Sequence, residues 1–238
     1  MKRQSGALRI FLYNWPIYLV TWAASLAVVA SSRHWLLLTG AAVAIAWSIW
    51  SLAVSHYIYD VSDLNAGKWI ETLIPQRVEQ WVALDAGLDA EVDLGAMPGR
   101  CVAYLDIFDP TLMNAASIQR ARNRTARTHE ATAASPVELR LADGSCDAAT
   151  VIFSAHEIRD VRARETFFRE LKRALRPAGT ILLVEHVRDG MNFLAFGPGF
   201  LHFLPRSEWL RLAEVTGLNV RTERRVTPWV MALVLEKP

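Results

Sequence analysis

Two long runs of apolar residues lie in the first quarter of the chain and predict two helices. Residues 15–30 and 35–54 contain no charged side chain, and about 20 apolar residues suffice for a helix to cross a bilayer. The second run is long enough alone, and the first becomes so if its helix begins near residue 11. Since only Ser31 to His34 separate the runs, helices at about 11–31 and 35–55 must form an antiparallel hairpin.

The charges that flank the hairpin predict its orientation in a membrane. Lys2, Arg3 and Arg9 precede the first helix, whereas Arg33 is the one lysine or arginine in the turn. Lysine and arginine accumulate on the cytoplasmic side, so both ends of the hairpin and everything after Ser55 are expected there. We therefore expect a multi-pass protein of a membrane such as the bacterial inner membrane, with its polar domain in the cytoplasm and the lipid bilayer as a partner.

Two other interpretations of the apolar runs remain open. The first run resembles a signal peptide with a cleavage site at Val29-Ala30-Ser31, although a second apolar run follows at once. Both runs also have the composition of buried core helices, although a domain of this size rarely holds two uncharged stretches of this length.

Beyond residue 56 short apolar runs alternate with amphipathic ones, which is typical of an α/β domain. Seven runs are predicted as strands, the third being the weakest: 81–85, 101–106, 137–141, 149–154, 180–185, 220–226 and 229–235. This alternation predicts a mostly parallel sheet covered on both faces and closed by a hairpin. We divide the chain into a transmembrane hairpin (1–55), a linker that forms a helical cover (56–80) and the α/β domain (81–238).

Composition narrows the possible functions only slightly. The net charge of +2 is too small to indicate a nucleic-acid-binding protein. The two cysteines, Cys101 and Cys146, form neither a metal-binding spacing nor a disulfide framework, which is typical of a reducing compartment.

The residues at the predicted strand ends carry the candidate chemistry, because parallel sheets bind ligands at the carboxyl ends of their strands. The first strand ends in Asp85-Ala86-Gly87, where a glycine turn permits close approach of a ligand to the backbone. The second ends in Asp106, an acid suited to accept hydrogen bonds from ribose hydroxyls. The fourth ends in Ser154-Ala155-His156-Glu157.

This ordered set resembles the class I S-adenosylmethionine-dependent methyltransferases, most closely the branch of the ubiquinone and menaquinone C-methyltransferases. Asp85-Ala86-Gly87 matches the start of the acidic, glycine-rich first motif of that family, and Asp106 matches its ribose-binding acid. Residues 142–147 resemble the "PDGSFD" segment before the fourth strand, and residues 168–180 resemble the helix and turn before the fifth. The resemblance extends over about residues 56–238.

The resemblance implies a Rossmann-like sheet of seven strands with an antiparallel last strand, and S-adenosylmethionine as cofactor with S-adenosylhomocysteine as product. The residues that it implies for cofactor binding are Asp85, Ala86, Gly87, Asp106, Ile107, Asp143, Ser154 and Ala155. Asp89 and Glu91 stand where the family usually has glycines. A catalytically inactive, methyltransferase-like membrane scaffold is therefore the alternative to an active enzyme.

The expected reaction is an in-line displacement of the sulfonium methyl group, for which the protein aligns the acceptor, excludes water and removes a proton. His156 is the first candidate base because its unperturbed pKa suits proton transfer near neutrality, although it equally suits a pocket-lining role. His186 is the second candidate, and Tyr59 is either a pocket residue or an interfacial anchor. The sequence contains no spacing of ligands that predicts a metal site. A site formed by His156, Glu157 and His186 is likewise not supported by any such spacing.

The expected acceptor is a lipophilic small molecule, because a membrane anchor holds the domain where such molecules are concentrated. A phenol or quinol, an isoprenoid and a thiol all remain open. The apolar loop at residues 191–200 and the adjoining His202 are expected to border the acceptor. A nicotinamide-dependent oxidoreductase is disfavoured because the first loop lacks G-x-G-x-x-G.

Overall fold

The two apolar runs form two helices packed against each other, in a computed structural model that describes residues 5–74, 77–87, 92–124 and 130–238. Helix α1 spans Gly6–Ser31 and helix α2 spans Trp35–His56. The Trp22 indole donates a hydrogen bond to Ser48 Oγ at 2.7 Å across their interface. The first helix begins five residues before the position that its apolar run predicts.

Helix α1 has a kink, and the kink provides a contact to the rest of the molecule. Asn14 leaves the helical conformation (φ -119°, ψ 16°), two residues before Pro16. Proline lacks an amide hydrogen and clashes with the preceding turn, so it interrupts the hydrogen-bond ladder. The main-chain carbonyl of Tyr13 instead accepts a hydrogen bond from Arg120, which belongs to the α/β domain.

The two ends of the hairpin are joined by one carboxylate. Asp60 lies in the π-helical turn Tyr57–Val61 that follows α2. Its side chain accepts hydrogen bonds from Gly6 N at 2.8 Å and from Ser5 Oγ at 2.8 Å, at the start of α1. A carboxylate at a helix N-terminus satisfies amide groups that have no partner within the helix. The start of α1 and the end of α2 therefore lie together beside the α/β domain.

Most side chains of the hairpin face outward. Each helix contains a stretch long and apolar enough to cross a membrane, and only 17% of that stretch is buried. Large apolar side chains such as those of Val20 (68% exposed) and Ile49 (58% exposed) have no cover in the described structure. A core helix of a soluble protein is mostly buried, so this exposure disfavours that interpretation of the two runs.

The α/β domain is built on one sheet of seven strands, in the order β3-β2-β1-β4-β5-β7-β6. The strands are β1 Gln80–Asp85, β2 Arg100–Asp106, β3 Thr132–Ala133, β4 Cys146–Ile152, β5 Leu175–His186, β6 Asn219–Thr227 and β7 Val230–Glu236. Strands β1 to β5 pair in parallel, whereas β7 runs antiparallel to both β5 and β6. This arrangement confirms the predicted Rossmann-like sheet with its antiparallel edge.

The third strand does not lie where the sequence predicts it, and the prediction of a strand at 137–141 was wrong. Strand β3 is the short segment Thr132–Ala133, which pairs with the end of β2. Residues 137–141 alternate apolar and polar side chains as a strand would. Pro136 begins a turn there, however, and Arg140 has a positive φ of 55°, which interrupts an extended chain.

Three helices cover one face of the sheet, and the end of the hairpin with one short helix covers the other. Helices α3 Ala116–Arg122, α4 Val161–Ala174, α5 Gly190–Phe196 and α6 Arg206–Thr216 complete the fold. Phe167 and Trp209 are completely buried between α4, α6 and one face of the sheet. On the opposite face, Ile58 and Ile70 pack with Leu182 of β5. The segment that follows α2 is therefore a layer of the domain, built from the turn Tyr57–Val61 and the short 3-10 helix Lys68–Thr72 rather than one long helix.

Candidate active site

The acids at the ends of β1 and β2 lie side by side. Asp85 and Asp106 are paired residues in the parallel register of these two strands. Gly87 follows with a φ of 79°, and its amide donates to the Asp85 carboxylate, which closes a tight turn. Ile107 is completely buried, and its amide donates to the Asp85 carbonyl at 2.8 Å. The two strand ends therefore form one acidic edge, as the positions of the acids in the sequence predict.

The end of β4 joins the same edge. Ser154 Oγ accepts a hydrogen bond from Ala86 N at 3.2 Å and donates to the Ile152 carbonyl at 2.8 Å. Ala155 follows at the start of a short 3-10 turn and is completely buried. Ser154 thus ties the end of β4 to the turn after β1.

Asp143 does not lie with the other residues expected to bind the cofactor. It precedes β4, so it lies at the amino end of that strand, opposite the edge formed by Asp85 and Asp106. Its carboxylate is 81% exposed and pairs with Arg173 at 2.5 Å. Asp89 and Glu91, which replace the usual glycines, lie outside the described residues.

An arginine lies across the acidic edge. Arg122, the last residue of α3, donates from Nη1 and Nη2 to the two carboxylate oxygens of Asp106, both at 2.9 Å. The same Nη1 donates to the Ala86 carbonyl at 2.8 Å, and the guanidinium carbon lies 4.2 Å from the centre of the Phe108 ring. A β-carbon at Gly87 would lie 2.2 Å from this Nη1, so only glycine admits the arginine. No sequence spacing links Arg122 to Asp106, and sequence reasoning missed this contact.

His156 lies between two buried carboxylates after β4. Its Nδ1 is 2.6 Å from Glu185 Oε2, and its Nε2 is 3.5 Å from Glu157 Oε1. Burial by itself lowers the pKa of His156, but the two carboxylates outweigh burial and raise that pKa to about 10. A protonated imidazole has no lone pair with which to accept a proton. This geometry therefore makes His156 a poor base at neutral pH.

His186, at the end of β5, is held in the opposite protonation state. Its Nδ1 lies 3.0 Å from the Trp229 carbonyl, which only accepts hydrogen bonds, so Nδ1 carries the proton. Nε2 then has a free lone pair, and the Tyr59 hydroxyl donates to it at 2.8 Å. Burial, together with the positive charge of His156, lowers the pKa of His186 to about 4. His186 is thus a neutral imidazole that accepts a hydrogen bond from Tyr59.

Aromatic rings enclose the His186 imidazole on several sides. Phe153 and Phe203 stack on it with centroid distances of 5.1 and 4.8 Å. Phe196 meets it edge-on at 5.6 Å. These rings exclude water from the imidazole, which is consistent with the low pKa of His186.

The segment from α5 through the loop before α6 contacts both the hairpin and the turn after β4. The indoles of Trp47 and Trp50 in α2 each donate to the Leu194 carbonyl at 3.1 Å. At the other end of the loop, His202 Nε2 lies 3.2 Å from Glu157 Oε1. Arg159, which sequence reasoning missed, donates from Nη1 to the His202 carbonyl at 2.8 Å.

Comparison with known proteins agrees with this geometry. Residues 92–183 match the methyltransferase domain family. No curated protein sequence matches this chain significantly. Solved structures with the same fold include a SAM-dependent methyltransferase from Aquifex aeolicus, with 15% sequence identity, coverage of 76% of this chain and 95% of that chain, and a TM-score of 0.53. A SAM-dependent methyltransferase from Leishmania major has 16% identity, coverage of 80% of this chain and 81% of that chain, and a TM-score of 0.51. A SAM-dependent methyltransferase from Thermotoga maritima, described as a possible histamine N-methyltransferase, has 15% identity, coverage of 81% and 100%, and a TM-score of 0.52.

The acidic edge fits the nucleoside of S-adenosylmethionine, the cofactor of this domain class, in position and chemistry. Asp85 and Asp106 supply adjacent carboxylates, and Gly87 itself adds no side chain at the turn, where the Arg122 guanidinium now lies. Arg122 uses the Asp106 oxygens that ribose hydroxyls would use. Binding of the ribose to Asp106 would therefore require that the Arg122 guanidinium moves away from this carboxylate.

Replacement of Arg122 is expected to strengthen cofactor binding. In Arg122→Ala the guanidinium no longer occupies the Asp106 carboxylate oxygens, so this ion pair need not break before ribose binds. We expect S-adenosylhomocysteine to bind roughly tenfold more tightly, or by about 1.4 kcal/mol, in isothermal titration calorimetry of the detergent-solubilised protein. Arg124→Ala, two residues further along, is the matched control. Weaker binding to Arg122→Ala than to the unmodified chain would instead make the guanidinium part of the binding site.

The charge of His156 is expected to make stability depend on alkaline pH. Its pKa is about 10 in the folded chain and about 6.5 in the unfolded chain. Its contribution is therefore complete below pH 6.5 and is lost as the pH rises through 10. The free energy of unfolding should fall between pH 7 and 10, by up to about 1.4 kcal/mol per pH unit, and this slope should vanish in His156→Gln. Denaturant titrations at several pH values measure the free energy of unfolding, with His34→Gln in the interhelical turn as control. Equal pH slopes in the unmodified chain, His156→Gln and His34→Gln would contradict this prediction.

Proposed function

We propose that this chain is a membrane-anchored, S-adenosylmethionine-dependent enzyme that methylates a lipophilic small molecule; the match of residues 92–183 to the methyltransferase domain family and the fold shared with solved methyltransferases support this proposal. One observation carries the proposal. Tyr59, in the turn that follows α2, donates a hydrogen bond to His186, at the end of β5. The end of the apolar hairpin thus completes a proton-accepting pair at the ligand-binding edge of the sheet.

These positions suggest separate roles for the residues that bind the cofactor and those that accept a proton. Asp85, Gly87 and Asp106 would hold S-adenosylmethionine, which supplies a methyl group on a positively charged sulfur. The chain must then accept a proton from the acceptor. A hydroxyl or thiol that donates to the Tyr59 oxygen loses its proton to Tyr59, while Tyr59 passes its own to His186 Nε2.

A base as weak as His186 suffices for this transfer. Its pKa of about 4 keeps it neutral at physiological pH, with its lone pair directed at Tyr59. The oxygen or sulfur of the acceptor becomes strongly acidic as its new bond to carbon forms, so the proton leaves late and easily. The stacked rings of Phe153 and Phe203 keep water away from the imidazole meanwhile.

The apolar surface beside this pair supports a lipophilic acceptor. Phe193, Leu194 and Leu201 are 40%, 59% and 57% exposed, and Trp47 and Trp50 hold this segment against α2. Their surface continues the outward-facing apolar surface of the hairpin. Contiguous apolar surface of this kind is typical of membrane contact or of a ligand entrance.

The proposed acceptor is a phenol or quinol, an isoprenoid or a thiol that enters from the bilayer. The phenol and quinol class also agrees with the resemblance to the ubiquinone and menaquinone C-methyltransferases. By the positive-inside rule the domain lies in the cytoplasm, next to the inner leaflet.

A second candidate function is a catalytically inactive membrane scaffold with a methyltransferase fold. The contact that favours it is the two-fold hydrogen bond of Arg122 to Asp106, which gives the expected ribose-binding carboxylate an internal partner. Such a protein would not bind S-adenosylhomocysteine at millimolar concentration, even after Arg122→Ala.

Methyl transfer should depend on His186 more than cofactor binding does. We expect the chain in mixed micelles to transfer tritiated methyl from S-adenosylmethionine to at least one of three probes: an alkylphenol, a farnesyl hydroquinone or a long-chain thiol. His186→Gln and Tyr59→Phe should each lower kcat by on the order of 100-fold or more, with unchanged affinity for S-adenosylhomocysteine. His34→Gln is the control. Full activity of His186→Gln would remove this pair as the proton acceptor.

An arginine on the outer face of α1 should distinguish a membrane helix from a helix in water. Val20, near the middle of α1, is 68% exposed, so an arginine there is harmless in water. In the centre of a bilayer it costs about 2.5 to 3.5 kcal/mol. We expect Val20→Arg to reduce the fraction of chain that stays in membranes after alkaline carbonate extraction, whereas Val20→Leu leaves it unchanged. A chain that is soluble without detergent, with or without the arginine, would refute the anchor.

A further inference from the structure

A cluster of ionisable side chains lies beside the Tyr59–His186 pair and shares no residue with it. His156 and Glu157 belong to the turn after β4, and His202 ends the 3-10 helix Gly197–His202. Each offers a ligand atom, and the three atoms lie within 4.8 Å of one another. We propose that these three side chains bind a divalent transition-metal ion such as Zn²⁺.

The two distances from Glu157 to the imidazoles match the ligand separations of a tetrahedral site. Glu157 Oε1 lies 3.5 Å from His156 Nε2 and 3.2 Å from His202 Nε2. Ligands bound at 2.0 to 2.1 Å around tetrahedral Zn²⁺ are separated by about 3.3 Å. Two imidazoles and one carboxylate form a common set of zinc ligands, which leaves a fourth position for water or another oxygen or sulfur ligand.

The second oxygen of the Glu157 carboxylate points to the same conclusion. Glu157 is 2% exposed, and its Oε2 has no hydrogen-bond partner among the described residues. A buried carboxylate oxygen without a donor is costly. A cation bound at Glu157 compensates the charge of the whole carboxylate and removes this cost.

Glu185 orients His156 for ligation. Its Oε2 lies 2.6 Å from His156 Nδ1, and its Oε1 accepts from the His156 amide at 3.2 Å. A carboxylate that accepts a hydrogen bond from Nδ1–H leaves Nε2 as the ligating atom, once the ion has displaced the Nε2 proton to solvent. Histidines that bind metals usually have such a carboxylate partner. Glu185 is completely buried, so the orientation of the ring is fixed.

Arg159 is the cation that faces this cluster from the side of His202. Its Nη2 lies 3.1 Å from His202 Nε2 and also contacts Nδ1 of that ring, while its Nη1 donates to the His202 carbonyl. Metal binding therefore moves Nη2 off the imidazole. The Nη1 contact to the carbonyl is compatible with this movement, since it does not involve the ring.

The bound ion would fix the loop before α6 to the end of β4. His202 comes from that loop, whereas His156 and Glu157 come from the sheet edge. Phe203, the next residue, stacks on His186. The metal would thus hold one of the rings that enclose His186. Metal binding itself does not require methyl transfer, so its test is independent of the proposed reaction.

Ion binding to the full-length chain tests the proposal. The protein, purified with a tag that contains no histidine and stripped with a chelator, should bind one Zn²⁺ in competition with a chromophoric indicator. His202→Gln, at a partly exposed position, and Glu157→Gln should each weaken binding by at least about 100-fold. Arg159→Gln should strengthen it, because a competing cation is removed. His34→Gln, in the interhelical turn, should bind as the unmodified chain does.

Spectroscopy with Co²⁺ tests the geometry separately. Cobalt in the tetrahedral site should give intense visible absorption bands that disappear in His202→Gln. Near-ultraviolet circular dichroism confirms that each variant is folded. The proposal is overturned if the unmodified chain binds Zn²⁺ no more tightly than folded His202→Gln, or if bound Co²⁺ shows only the weak bands of a hydrated octahedral ion.

Discussion

Parallel pairing of β1, β2, β4 and β5 is the constraint on which the site depends. Strands that run in one direction bring all their carboxyl ends to one edge of the sheet. Residues far apart in the chain, such as Asp85, Ser154 and His186, therefore lie along one line. The same hydrogen-bond ladder that stabilises the domain fixes the spacing of its polar groups, so no separate element is needed to assemble them.

Partner atoms then give two neighbouring buried histidines opposite properties. His156 and His186 follow adjacent strands and are both almost completely buried. His156 faces two carboxylates and is held protonated, whereas His186 faces a carbonyl and a phenol and is held neutral. The partner atoms, rather than the depth of burial, determine which of them has a lone pair available for chemistry.

The sequence predicted those features that depend on local pattern. Apolar runs gave the hairpin and six of the seven strands, and the acids at strand ends gave the acidic edge. The third strand was misplaced because Val137, Leu139 and Leu141 alternate correctly, while a turn begun by Pro136 decides the local conformation.

Contacts between side chains distant in sequence were not predictable in the same way. Nothing in the order of residues shows that Arg122 reaches Asp106, or that His202 rather than His186 joins His156 and Glu157. Such contacts are set by how loops pack on the finished sheet, and a single sequence carries no pattern for that packing.

Helix α3 links the two halves of the molecule mechanically. Arg120 holds the Tyr13 carbonyl at the kink of α1, and Arg122 holds Asp106 only two residues later. Two neighbouring positions on a rigid seven-residue helix cannot shift independently. If α1 spans a bilayer as proposed, a change in its tilt, such as a thicker or thinner bilayer imposes, would therefore displace the guanidinium at the strand tips, and lipid composition would influence the acidic edge.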